Sequence, residues 1–371
     1  MPQVFILNSE FCILHSAFED EPNNWKTPMT ASSPTSVLQA IQWAVRGDHL
    51  TRQHAAEAMR EITEGKATDA QIACLITALR MKGETPDEIT GFAMVMREKA
   101  TPIRCSSPIV IDTCGTGGDA SGTFNISTCT AFVAAGAGCK VAKHGNRSIT
   151  SKSGGADVLL ALGVKLDVPP ETVERCIEQA NMGFLFAPKL HPAMQYAIKA
   201  RREIGVRTVF NILGPLTNPA GARHQVLGVF SPNLADVMAE VLGSLGSVHA
   251  FVVHGLDGLD EISTTGDTHV AELIDGRVKS YTIRPGDFGM RTAAMAGLRV
   301  DSPEQSARVI RDVLAGKRGP ARDIVILNAA AAIASADPHG TIADSIPAAE
   351  DSIDSGKARE ALEKLVKITN G

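Results

Sequence analysis

The chain is poor in aromatic residues and has no excess of positive charge. Aromatic side chains make up 4% of the 371 residues, and the formal net charge at pH 7 is −5. Surfaces that bind nucleic acid need a basic patch, and sites for single strands add rings on which bases stack. We therefore expect no nucleic-acid partner.

Long apolar runs and paired cysteines are also missing. The longest apolar stretch, residues 324–334, is interrupted by Asn328 and is shorter than the roughly 18 residues that a membrane helix requires. The seven cysteines are scattered without a Cys-x-x-Cys pair, as is typical of reduced thiols. The sequence thus predicts a cytoplasmic protein with no membrane partner.

Composition and periodicity divide the chain into three parts. Residues 1–34 lack the basic start of a signal peptide and become acidic, which predicts a flexible extension outside the fold. Residues 35–105 have the spacing of about four helices and predict a helical domain. The remainder, residues 106–190 and 215–371, predicts an α/β domain, and a helical insert at about 191–214 joins the helical domain.

The α/β prediction depends on short apolar runs that alternate with helical windows, which indicates a mainly parallel central sheet. The predicted strands are residues 109–111, 140–142, 182–186, 226–230 and 249–254, followed by strand-like pieces at 270–274 and 278–283. Further helices are predicted at 303–314, at 324–336 and from residue 357.

A glycine-rich segment, Gly115-Thr-Gly-Gly-Asp119, follows the first predicted strand. Such a turn before a helix can bind phosphate through backbone N–H groups, although a glycine-rich turn alone can also be only a turn. Because Asp119 would repel phosphate, a metal ion or ribose hydroxyls must be its partner. Gly115, Gly117 and Ala120 also fit a dinucleotide motif, but the next strand ends in Lys143-His-Gly instead of an acid.

Two more polar segments follow predicted strands. Residues 143–155 combine lysines, hydroxyl groups and glycines, which is typical of a second anion site. Asp260 and Glu261 are adjacent acids after the strand at 249–254, and they suit a magnesium ion that also contacts substrate phosphate. Carboxyl ends of parallel strands share one edge, so these loops can face one ligand with two phosphate groups.

Five segments carry a resemblance to the anthranilate phosphoribosyltransferases, and the resemblance extends over about residues 36–371. They are Gly115–Asp119, Lys143–Arg147, His191–Met194, Asn211–Pro219 and Gly255–Glu261. The resemblance implies a nucleoside phosphorylase/phosphoribosyltransferase-like fold and a homodimer formed through the helical domain. It also implies transfer of phosphoribosyl from 5-phosphoribosyl 1-pyrophosphate (PRPP) to anthranilate in tryptophan synthesis, with Mg²⁺.

The resemblance also assigns site residues. It places Arg201, His144 and Asn146 at the reacting groups, and Gly115, Asn146 and Arg201 at anthranilate, with Arg201 ten residues after His191. His144 either accepts the amine proton or lines the pocket. The implied magnesium contacts are Ser127, Asp260 and Glu261. The implied PRPP contacts are Gly115, Gly118, Asp119, Thr123, Asn125, Ile126, Ser127, Thr128, Lys143, His144, Gly145, Asn146, Arg147, Ser148, Ile149, Thr150, Ser151 and Gly155.

One departure and two alternatives stand beside this interpretation. Gly155 occupies a position where relatives commonly have serine, so we expect a modest loss of PRPP affinity. A pyrimidine nucleoside phosphorylase would carry a Lys-x-Ser-Gly segment where Lys143-His-Gly-Asn stands. A non-catalytic nucleic-acid-binding relative would lose the glycine segment or the Asp260-Glu261 pair and gain a basic surface, whereas both motifs remain here.

Overall fold

The computed structural model describes residues 36–119, 121–147 and 153–371. The predicted extension at residues 1–34 lies outside the described residues, as do Ser148, Ile149, Thr150 and Ser151 of the predicted PRPP site. No helix in the described ranges is both long and apolar enough to cross a membrane.

The N-terminal part consists of four helices whose starts are fixed by hydroxyl side chains. Each cap accepts a hydrogen bond from a backbone N–H group of the first turn, which would otherwise lack a partner. At Thr68 and Thr85 a glutamine or glutamate bonds back to the cap, forming capping boxes. The helices are α1 (Val37–Val45), α2 (Arg52–Thr63), α3 (Asp69–Lys82) and α4 (Pro86–Glu98).

A seven-stranded sheet forms the centre of the second part. Its strands are β1 (Ile111–Gly115), β2 (Val141–Gly145), β3 (Met182–Phe186), β4 (His224–Gly228), β5 (His249–Gly255), β6 (Thr268–Ile274) and β7 (Arg277–Ile283). The spatial order is β3-β2-β1-β4-β5-β6-β7; the first five are parallel, and β6 and β7 are antiparallel. Strand order reverses between β1 and β4, where ligands of open α/β sheets bind at the carboxyl edge.

Helices cover both faces of this sheet, and others belong to the insert. In chain order they are α5 (Ile126–Gly136), α6 (Gly155–Ala161), α7 (Pro170–Ala180), α8 (Ala187–Leu190), α9 (Gln195–Ile204), α10 (Phe210–Leu213), α11 (Pro232–Ser244), α12 (Pro303–Leu314), α13 (Pro320–Ser335), α14 (Ile342–Asp354) and α15 (Lys357–Asn370). Alternate residues of β5 separate the two cores: Phe251 and Val253 pack with α5 and α13, while Ala250 and Val252 pack with α11 and the four-helix part.

The α/β class and the mainly parallel sheet are confirmed, and the strand predicted at 182–186 has the predicted bounds. The bounds of the first two strands were wrong, since β1 and β2 run on to Gly115 and Gly145. Predicting them from apolar runs excluded the charged residues Asp112 and Lys143, which are buried within the strands and satisfied by hydrogen bonds.

Smaller shifts occur at other elements. The predicted strand at 226–230 lies at His224–Gly228, and the predicted helix at 324–336 begins at Pro320 and ends at Ser335. Helix α14 was not predicted. Helix α9 of the insert packs against α3, which is consistent with the domain division, although its boundaries stay a prediction.

Candidate active site

The loop after β1 is tied to both neighbouring loops at the carboxyl edge. The N–H of Thr116 donates to the carbonyl of Gly228 at the end of β4, at 2.8 Å. The N–H of Gly117 donates to Oδ2 of Asp260 at 3.1 Å. The glycine segment and the acidic segment therefore meet at the position where strand order reverses.

Glycine ends both β1 and β4 because Asp260 packs directly over them. A Cβ at Gly115 would lie 2.9 Å from Oδ2 of Asp260, and a Cβ at Gly228 would lie 1.6 Å from its carbonyl oxygen. A methyl group cannot occupy the second position unless the acidic loop moves. The loop therefore has its place only because neither strand end carries a side chain.

The acids in this region lie near enough for each negative charge to affect the others. Both Asp260 and Glu261 are partly exposed, yet loss of solvation raises the pKa of Asp260 to about 7, with the charge of Asp119 as a second contribution. Desolvation and the neighbouring Asp260 charge also raise the pKa of Glu261 well above its ordinary range. A bound cation would relieve this repulsion.

The predicted magnesium contacts come together. The backbone N–H of Ser127 lies near enough to the Glu261 carboxylate to act against the rise in its pKa. No three His, Cys, Asp or Glu side chains form a ready metal-ligand group in the ranges that the structure describes. Two carboxylates and a hydroxyl still fit magnesium, which commonly keeps waters and takes its remaining oxygens from substrate phosphate.

Lys143 is the buried cation of the site. It projects from β2, is 3% exposed, and donates from Nζ to the carbonyl of Thr113 and to Oγ of Ser127, the latter at 3.1 Å. Burial lowers its pKa, while the nearby carboxylates, including Glu261, oppose that change. Lys143 thus links its own strand, β2, to β1 and to the start of α5 through the hydrogen bonds of its ammonium group.

The start of α5 gathers the other predicted PRPP residues of the first loop. Asn125 caps the helix by accepting the N–H of Thr128 at 3.0 Å, and its Nδ2 donates to the carbonyl of Ser153 at 2.9 Å. The Oγ1 of Thr128 is buried without a partner among the described residues. Ile126 is 1% exposed, so only its backbone can serve a ligand. The hydroxyl of Thr123 contacts that of Ser121.

The second predicted loop is described only at its ends. Gly145 ends β2, and the side chain of Asn146 accepts the N–H of Arg147 at 2.7 Å. Gly155 begins α6, and among the described residues a Cβ there would meet only Oγ1 of Thr128, at 3.6 Å, and Cε of Lys143, at 4.0 Å. The described residues therefore leave room for the serine side chain that Gly155 lacks.

The hydrogen bonds of His144 argue against a role as a base. Its Nδ1 lies 3.0 Å from the carbonyl of Gly214, which can only accept, so Nδ1 carries a hydrogen. In the neutral ring the Nε2 of His144 is then an acceptor. It accepts a hydrogen bond from Nε2 of His191 at 3.1 Å. Burial lowers the pKa of His144 to about 3 and that of His191 to about 4.

Arg201 lies on α9 with its guanidinium carbon 5.2 Å from the centre of the Phe210 ring. Burial lowers its pKa, and none of the carboxylates in the described residues pairs with it. Among those residues it makes no direct hydrogen bond to Gly115 or Asn146, the other predicted anthranilate contacts. The structure therefore leaves its charge available to an anion.

Two residues with evident roles were missed. Asp112 accepts the N–H of His144 at 3.1 Å and Nδ2 of Asn218 at 2.8 Å, joining two strands to the segment at 211–219. Arg207 donates from Nη2 to the carbonyl of Gly118 at 2.6 Å. The available signal for Asp112 was a charged residue directly after an apolar run. For Arg207 it was the group of arginines in the insert, which also includes Arg201 and Arg202.

Comparisons with known proteins cover nearly all of the described chain. Residues 107–359 match the model "Glycosyl transferase family, a/b domain", and residues 38–100 match "Glycosyl transferase family, helical bundle domain". An anthranilate phosphoribosyltransferase of Anaeromyxobacter sp. (strain K) is 55% identical over 333 residues, which are 90% of this chain and 98% of that relative.

Solved structures agree. Anthranilate phosphoribosyltransferase from Thermus thermophilus matches with a TM-score of 0.85 and 42% identity, covering 90% of this chain and 99% of that one. The enzyme from Saccharomyces cerevisiae in complex with PRPP and Mg matches with a TM-score of 0.82 and 29% identity, covering 90% and 98%. The chain belongs to the anthranilate phosphoribosyltransferase family.

Proposed function

We propose that the protein transfers the 5-phosphoribosyl group of PRPP to the amine of anthranilate, giving N-(5-phosphoribosyl)anthranilate and pyrophosphate for tryptophan synthesis. The observation that carries the proposal is the meeting of the glycine segment with Asp260 between β1 and β4. This position suits a phosphorylated ligand, and the yeast relative is solved with PRPP and Mg.

The pyrophosphate of PRPP would lie between the glycine segment and the start of α5. Backbone N–H groups of the segment and the positive end of the helix favour an anion there. Lys143 adds a charge that is already desolvated. As the bond to C1 breaks, negative charge accumulates on the leaving pyrophosphate, so donors fixed around it stabilise the transition state more than the ground state.

Magnesium would be held by Asp260 and Glu261, with Ser127 beside them. Bound there, it would neutralise the oxygens of the leaving pyrophosphate. The support from this chain is a pair of acids whose pKa values are raised, first by loss of solvation and then by neighbouring negative charge, both of which a bound cation would offset. The same ion would explain why Asp119 can lie beside a phosphate site.

The carboxylate of anthranilate would pair with Arg201, whose guanidinium has no carboxylate partner among the described residues. His144 would line the pocket and not accept the amine proton, because both of its ring nitrogens are engaged. An arylamine becomes strongly acidic once it bonds to C1, so its proton can leave without a dedicated base.

A cytoplasmic homodimer completes the proposal. In the helical part the apolar side chains of Leu38, Val45 and Met81 are 54%, 67% and 83% exposed, which suits a subunit interface there. The six cysteines within the described ranges are all free, as expected in a reducing compartment. Nothing in the charge or composition favours nucleic acid as a partner.

The test is a magnesium-dependent assay of anthranilate consumption with PRPP. We expect turnover by the unmutated protein, a raised KM for anthranilate in Arg201→Ala, and loss of magnesium activation in Asp260→Asn. Arg202→Ala, an exposed neighbour on the same helix, is the matched control and should behave as the parent. No turnover by the unmutated protein, or phosphorolysis of a pyrimidine nucleoside instead, would sink the proposal.

A further inference from the structure

Arg207 fastens the helical insert onto the glycine segment. It lies between α9 and α10, and its Nη2 donates to the carbonyl of Gly118 at 2.6 Å. Its guanidinium carbon also lies 4.7 Å from the centre of the Phe230 ring, just beyond β4. In the described ranges its contacts are this carbonyl and this ring, and no carboxylate forms an ion pair with it. Its charge is thus directed at one backbone carbonyl and one ring.

The contact requires glycine at position 118. Gly118 has φ of +87°, a conformation that side chains disfavour. A Cβ on this residue would lie 2.1 Å from Nη2 of Arg207. The guanidinium therefore occupies the place that any side chain at position 118 would need, and it bonds the backbone directly.

That bond determines which way a neighbouring N–H points. The carbonyl of Gly118 and the N–H of Asp119 belong to one planar trans peptide, so they point in opposite directions. While Arg207 holds the carbonyl, the N–H of Asp119 must face away from the insert. If the peptide turned over, a carbonyl oxygen would replace that N–H and would repel a phosphate.

We propose that Arg207 is a positioning residue that locks the Gly118–Asp119 peptide so that the N–H of Asp119 is presented to the pyrophosphate of PRPP. The proposal rests on the proposed function for the identity of the anion. It adds a contact in which the insert that carries Arg201 also orders the phosphate-binding loop.

The experiment measures binding of pyrophosphate with magnesium by calorimetry on the full chain, together with both KM values. Arg207→Ala should weaken pyrophosphate binding and raise the KM for PRPP about tenfold, the loss expected for a charge-assisted hydrogen bond that is partly exposed. The KM for anthranilate and the melting temperature should change little. Arg202→Ala, also exposed, is the control and should match the parent.

Two further variants separate positioning from simple charge. Arg207→Lys keeps the charge but loses the planar fork and the stacking on Phe230, so it should restore binding only in part. Raising the salt concentration should leave the ratio of parent to Arg207→Ala affinity unchanged. Gly118→Ala displaces the guanidinium of Arg207. The loss of pyrophosphate affinity in the double variant should therefore be smaller than the sum of the losses in Gly118→Ala and Arg207→Ala.

The outcomes are distinguishable. Unchanged pyrophosphate affinity in Arg207→Ala overturns the inference, as does full rescue by lysine or an effect that disappears at high salt. An equal rise in both KM values would indicate general damage and would also overturn it. Absence of turnover in the unmutated protein would instead refute the proposed function, and the pyrophosphate titration would still test Arg207.

Discussion

The pair of buried histidines at the centre of the site should make the protein acid-sensitive in a way that one substitution isolates. His144 and His191 are each 6% exposed, and they bond through their Nε2 atoms. Burial lowers the pKa of His191 from its ordinary 6.5 to about 4. The folded state therefore binds fewer protons than the unfolded chain between these pH values.

The sign follows from proton linkage. Stability that is fully present above pH 6.5 is lost as the pH falls toward the folded-state pKa, because the unfolded histidine gains a proton first. At pH 5, about 1.5 pH units lower, His191 alone should cost about 2 kcal/mol of the free energy of unfolding relative to pH 8. Acids with raised pKa values, such as Asp260, give the opposite slope but are common to parent and variant.

The perturbation is His191→Gln, whose amide can still donate to Nε2 of His144. Urea unfolding followed by tryptophan fluorescence at pH 8, 7, 6 and 5, in magnesium-free buffer, gives the free energy of unfolding for each protein. We expect the difference between parent and variant to shrink by about 2 kcal/mol from pH 8 to pH 5. His339→Gln, at an exposed position, should leave the slope of the parent unchanged. Parallel pH profiles for parent and His191→Gln would refute the reasoning.

Three other substitutions test the packing of the site. Gly228→Ala should cost about 3 kcal/mol and abolish activation by magnesium, because the new methyl group would overlap the carbonyl of Asp260; urea unfolding and a magnesium titration check this. Gly155→Ser should lower the KM for PRPP about threefold, since a Cβ there has no neighbour nearer than 3.6 Å in the part of the chain that the structure describes and the hydroxyl adds a donor; an unchanged or higher KM contradicts it. Asn218→Ala should cost about 3 kcal/mol in urea unfolding by removing a donor from the buried carboxyl of Asp112, whereas a loss under about 1 kcal/mol would argue against the contact.

Much of the fold could be predicted because it follows from local patterns. Apolar runs alternating with helical windows require a parallel sheet, and parallel strands bring their polar loops to one edge. The first strand was misplaced because its charged residue, Asp112, is tolerated through partners far along the chain, among them Asn218, which lies 106 residues away. No local pattern contains that information, and the same is true of Lys143 in β2.

The side chains that we propose complete the site were harder to predict, because they come from a segment distant in the sequence. Arg201 was assigned through its offset from His191. That spacing does not predict that Arg201 lacks a carboxylate partner among the described residues or that it lies over the Phe210 ring. Arg207, six residues further on, acts on a backbone carbonyl and so leaves no complementary charge in the sequence to search for.

Their common insert has a physical consequence. Helix α9 packs against α3 of the four-helix part, while Arg207 bonds the loop after β1. A shift of α9 must therefore move the proposed anthranilate contact, Arg201, and strain the bond that orients the proposed phosphate loop. Residues 202–206 alone separate Arg201 from Arg207 in the chain, so a displacement of the whole helix would reach both proposed substrate contacts, whereas removal of the Arg207 side chain would leave α9 and Arg201 in place.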